Sequence, residues 1–81
     1  MPDQENSTLK TTASDVLDRY FLETRAKLLD IAATLDRLDR TPDASTTRSD
    51  SRITFLHQSL AILQQPGPNR AESIQRLYSV Q

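Results

Sequence analysis

Apolar residues recur along the first half of the chain with the alternating four-three step that an α-helix folds into stripes. Leu17, Phe21, Thr24, Leu28, Ile31, Leu35 and Leu38 make the main stripe. Leu22, Ala26, Leu29 and Ala33 make a second one with the same step. The two stripes lie on separate sides of one helix, so a single neighbour cannot cover both. That is a packing requirement, and it names no chemical site.

The helix carrying both stripes is predicted from about residue 13 to residue 40, about 40 Å at 1.5 Å per residue. Thr12 or Ser14 can cap its first-turn amides. Its polar side holds Asp15 and Arg19, Glu23 and Lys27, and Asp36 and Arg40, each acid four residues ahead of a base. Thr41-Pro42-Asp43 ends the helix, because Pro42 cannot continue it and biases Thr41 away from the helical region.

A polar connector, Ala44-Ser45-Thr46-Thr47-Arg48, leads to a second helix predicted over 50–65, with Ser49 or Asp50 as its cap. Ile53, Leu56, Leu60 and Leu63 form its apolar face, and Phe55 and Ile62 widen that face to about half the circumference. Gln65-Pro66-Gly67-Pro68 is the strongest breaker in the chain. Asn69 with Glu72 three residues on reads as a capping box for a third helix over 69–80, which presents Ile74, Leu77 and Tyr78. No segment reads as a strand.

The expected class is therefore all-α. Helices 1 and 2 form an antiparallel hairpin, helix 3 turns back over one end, and dimerisation can complete this three-helix bundle. Residues 1–12 are polar and aperiodic and read as a disordered leader, so 13–81 is expected to form a single helical domain. Helix 2 is well short of helix 1, so helix 3 is not expected to cover the whole second stripe. The alternation of Leu22 and Leu29 with Ala26 and Ala33 suits a tight helix–helix contact, and a second copy of the chain is the simplest supplier.

Composition narrows the function classes. With 81 residues the chain is one small domain at most. Ten Lys plus Arg against eleven Asp plus Glu give a net charge of −1, without the basic surplus that nucleic acid or an anionic membrane surface calls for. The absence of cysteine excludes disulfides, thiolate metal sites and cysteine nucleophiles. The first dozen residues hold no apolar run, and no stretch is apolar enough to span a bilayer, so a cytoplasmic protein is expected.

The candidates for chemistry are weak. His57 is the only imidazole, and a Glu-x-x-His metal motif would need a carboxylate where Thr54 stands. Glu23 and Asp30, one heptad apart, lie on the charged side of helix 1. Asp15, Asp18, Asp30, Asp36 and Asp39 read as a solvated, ion-paired face rather than as acid–base pairs. Arg19, Arg25, Arg37 and Arg40 lack the aromatic interleaving or Gly-rich loop of a phosphate site, and Arg52 is the one certain cation of helix 2. Tyr20 and Tyr78 are expected to seal the ends of the core. The single glycine, Gly67, rules out a Walker-type or dinucleotide loop.

The run from Tyr20 to Arg37 resembles a stretch found in short uncharacterised bacterial helical proteins, and the block Pro68-Asn69-Arg70-Ala71-Glu72 is similar to a turn in the same proteins. The resemblance implies a small bacterial helical protein and carries no activity, ligand or site residue. The leading expectation is a non-enzymatic module without cofactor, metal or small-molecule substrate. It associates with itself, or with a larger protein, through Leu22, Ala26, Leu29 and Ala33. The alternative is half of a ferritin-like di-metal four-helix bundle completed by dimerisation, with His57 as the candidate ligand.

Overall fold

The computed structural model describes residues 11–79. Helix α1 is Ala13–Arg40, a 3-10 segment follows at Ala44–Thr47, α2 is Ser51–Leu63 and α3 is Arg70–Ser79. No strand occurs among the described residues. The expected leader, apart from Thr11 and Thr12, and the expected last helical residue Val80 lie outside the described residues. Two units divide the chain between Asp39 and Arg40, the first holding α1 and the second α2 and α3.

Helix α1 begins with a reciprocal pair of bonds. The Asp15 amide donates to Thr12 Oγ1 at 3.1 Å, and the Thr12 amide donates to Asp15 Oδ2 at 3.2 Å. This is a capping box with Asp in the place of Glu, and it selects Thr12 over Ser14 as the cap. It also engages the carboxylate that the spacing assigns to Arg19. Further along, Lys27 Nζ lies 3.1 Å from Glu23 Oε2, with both side chains mostly exposed, so the pair adds little stability.

The connector is more ordered than its composition suggests. Thr46 Oγ1 donates to the Asp43 carbonyl at 2.8 Å and Thr47 Oγ1 to the Ala44 carbonyl at 2.9 Å. Threonine hydroxyls that bond back three residues support a tight 3-10 turn in a segment without apolar periodicity.

Asp50 caps α2. Its Oδ1 accepts from the Arg52 amide at 2.8 Å and from Arg52 Nε at 3.0 Å, while Oδ2 accepts from Arg52 Nη2 at 2.8 Å. The fork of the Arg52 side chain, and then its amide, hold the Asp50 carboxyl down from 3.8 to about 2. A carboxyl lowered by folding stabilises the folded state fully above its ordinary value, and the contribution fades as pH falls from 3.8 to about 2. Asp50→Asn keeps a capping oxygen but loses the charge. Wild type is expected to be the more stable at pH 6, with most of the difference gone at pH 2 in urea titrations; an undiminished difference at pH 2 would refute the assignment.

The helix closes two residues before the expected end at Gln65. The Gln64 amide turns back to the Ala61 carbonyl at 3.2 Å and the Gln65 amide to the Ile62 carbonyl at 3.0 Å, a tightened last turn. Pro66 and Pro68 have no amide to offer the remaining carbonyls, and Arg70 Nε supplies the donor, 2.7 Å from the Gln65 oxygen. At the other end of the pair, Phe55 near the start of α2 meets Tyr78 near the end of α3, edge to face with centroids 5.9 Å apart. Helices α2 and α3 therefore run antiparallel, tied at the turn by Arg70 and at the open end by two rings.

Within the second unit α2 and α3 form a helical hairpin. At the start of α3 the Asn69 carbonyl accepts the first helical bond from the Ser73 amide at 3.0 Å, and Glu72 Oε2 takes Arg76 Nη2 at 2.8 Å. That pair has the favourable acid-before-base order one turn apart, and both side chains are mostly exposed.

Among the described residues no hydrophobic side chain is fully buried; the one buried residue is Ser59, on α2. Its Oγ is enclosed and without a hydrogen-bond partner. A small side chain at mid-helix permits close approach, but an enclosed hydroxyl without a partner costs about 1–3 kcal/mol relative to a hydrated one. Ser59→Ala keeps the size, removes the hydroxyl and improves helix propensity. It is expected to raise stability by up to about 1 kcal/mol in denaturant titrations, and a loss of stability would show that the hydroxyl is bonded in solution.

Candidate association surface on α1

The candidate site is a helix face, so its geometry is set by one fact: α1 is unbroken over its 28 residues. Leu22, Ala26, Leu29 and Ala33 therefore share one stripe with a constant four-three step, each side chain stacked about 5–6 Å from the next. None of these four is buried, and neither is any other residue of α1. Leu22 is 75% exposed and Leu29 53%, while Leu17 and Phe21 on the main stripe are 63% and 52% exposed. Leu35 and Leu38 are half-buried and are the most shielded residues of the helix.

This arrangement can exclude water from a partner. The alanines leave shallow notches between two protruding leucines, so an approaching helix meets an alternation of bumps and hollows. Charged residues flank the stripe, among them Glu23 with Lys27. Thr34 Oγ1 bonds the Asp30 carbonyl at 3.0 Å, which occupies the one hydroxyl close to Ala33.

Each remaining candidate is placed by its own helix. His57 is exposed on α2. Tyr20 is 51% exposed on α1 and Tyr78 72% exposed on α3, where its ring rests on Phe55. Among the described residues no group of three or more His, Cys, Asp or Glu side chains is placed to share a metal ion. No helix among them is long and apolar enough to cross a membrane. Sequence reasoning missed the two roles filled by arginines: Arg52 at the Asp50 cap and Arg70 on the Gln65 carbonyl. An Asp-x-Arg at a helix start was a readable signal for the first; the second depends on how the turn folds.

Comparison with family models, with curated proteins and with solved structures returns no match to the chain.

Proposed function

We propose that this protein is a non-catalytic helical module that associates with a second copy of itself through Leu22, Ala26, Leu29 and Ala33. The observation that supports the reading most directly is that no residue of that stripe is buried, on a helix of 28 residues. A lone amphipathic helix is marginal in water and draws its stability from packing its apolar faces. A second copy brings the same bumps and hollows and meets no electrostatic barrier, since Asp15, Asp18, Glu23, Asp30, Asp36 and Asp39 on α1 are nearly balanced by Arg19, Arg25, Lys27, Arg37 and Arg40. The architecture this reading calls for is a helical bundle completed by dimerisation, with the main stripe turned to its interior.

Ala33→Glu tests the reading without removing any apolar side chain. Glutamate is a good helix former, so α1 is kept, but a carboxylate is set in a close helix–helix contact. The variant is expected to elute as a monomer from size exclusion at loads where wild type elutes as a dimer. A monomeric wild type, or a variant that stays dimeric, would overturn the proposal.

A further inference from the structure

We infer that the two copies of α1 pair antiparallel, about a two-fold axis at the midpoint between Lys27 and Leu28. This rests on the dimer reading and adds the direction of the partner helix.

Because α1 runs unbroken from Ala13 to Arg40, the step through Leu22, Ala26, Leu29 and Ala33 can be followed to both ends of the helix. It passes through Asp15 and Arg19 on one side and Asp36 and Arg40 on the other. The eight positions read Asp, Arg, Leu, Ala, Leu, Ala, Asp, Arg, and all eight are exposed. In an antiparallel pair, residues equidistant from the midpoint face each other. Leu22 then meets Ala33 of the second copy and Ala26 meets its Leu29. Arg19 meets Asp36 and Asp15 meets Arg40. Every layer joins a large residue to a small one, or an acid to a base.

A parallel, in-register pair does the reverse in every layer. Aspartate faces aspartate, arginine faces arginine, and Leu–Leu layers alternate with Ala–Ala layers. Four like-charge layers cost affinity, and the alternating width prevents a uniform close approach. In the antiparallel pair each layer has the same combined width, which suits helices in a gentle left-handed supercoil at a constant separation of about 8 Å. In the outermost layer Asp15 Oδ2 also holds the Thr12 amide. On the flank Glu23 falls toward Asp30 of the second copy, and Lys27, 3.1 Å from Glu23, offsets that repulsion.

Charge reversal and disulfide trapping test the direction on the whole chain. Arg19→Asp is expected to raise the dissociation constant about ten-fold in sedimentation equilibrium, since each dimer loses two ion pairs and gains two repulsions. Adding Asp36→Arg is expected to restore it to within about three-fold. In a parallel pair the first change would swap one like-charge layer for another, and the second would rescue nothing.

The chain has no cysteine, so an introduced thiol is unique. Leu22→Cys and Ala33→Cys proteins, mixed and oxidised, are expected to form the mixed disulfide, and Ala33→Cys alone to form none. In the antiparallel pair the two thiols at position 33 are about 16 Å apart along the axis, beyond disulfide reach. A self-disulfide of Ala33→Cys, a missing mixed disulfide in a dimeric sample, or a failed charge rescue would overturn the direction alone. A monomeric wild type would overturn the dimer and the direction together.

Discussion

Leu29→Arg is expected to separate the dimer into monomers, raising the dissociation constant by at least 100-fold. Leu29 is central to the stripe, and each dimer buries two copies of it. Losing about 1.5–3 kcal/mol of apolar burial per copy amounts to about 3–6 kcal/mol, or two to four orders of magnitude in affinity. The guanidinium can bend its stem toward water and recover part of the cost of burying a charge, so the apolar loss dominates. Inside one chain the same change is mild. Leu29 is 53% exposed there, and arginine is as good a helix former as leucine. Association should therefore collapse while the hairpin of α2 and α3 unfolds at an unchanged temperature. Sedimentation and thermal melts of the same sample check both halves. A variant that loses hairpin stability along with association would show that Leu29 supports the fold.

The second large effect concerns the turn between α2 and α3. Gly67 has φ +101°, a region that residues with a side chain rarely adopt. A Cβ built there meets nothing within 4 Å, so the penalty for a side chain is entirely conformational. Pro68 tightens the constraint by restricting the residue before it to extended conformations. Gly67→Val is expected to destabilise the hairpin by about 1–3 kcal/mol, either through strain or through a turn that opens. An opened turn would take Arg70 off the Gln65 carbonyl and remove the leverage that brings Tyr78 to Phe55. A melting temperature lower by roughly 4–8 °C per kcal/mol, for a domain of this size, is the expected readout. D-Alanine at position 67, introduced by chemical synthesis, favours positive φ and should leave the temperature within a degree or two of wild type or above it. Equal losses from L-valine and D-alanine would mean that Gly67 matters for something other than its φ.

Helices were legible because their signals are local. The four-three spacing from Leu17 to Leu38, Thr12 at the start and Pro42 at the end delimit α1, which spans Ala13–Arg40 as expected. The second helix ends at Leu63 because the last turn tightens ahead of Pro66, a detail of hydrogen bonding that periodicity does not contain. Which helices pair was less legible. Length and apolar width do not single out the contact inside the second unit, which joins α2 to α3 through Arg70, Phe55 and Tyr78. A side chain reaching a carbonyl across Pro66-Gly67-Pro68 leaves no mark in an apolar pattern. Ser59 makes the same point from the opposite side: it is the one enclosed residue of α2, and a polar side chain adds nothing to an apolar pattern.

The candidate surface was legible as a stripe but not as a state. Spacing places Leu22, Ala26, Leu29 and Ala33 on one line, and the structure places them there, open to solvent within the single chain. Spacing does not say what covers them. The charged ends of the line, Asp15 with Arg19 and Asp36 with Arg40, had been read only as pairs within the helix. Their second reading, as pairs between helices, emerges once the whole segment is known to be one unbroken helix.

Sedimentation equilibrium of the unmodified protein at about 100 µM is the most direct measurement, because even a weak dimer is populated at that concentration. The account predicts a particle of twice the 9.2 kDa chain mass, dissociating on dilution. A single species of 9.2 kDa across the whole range would contradict it.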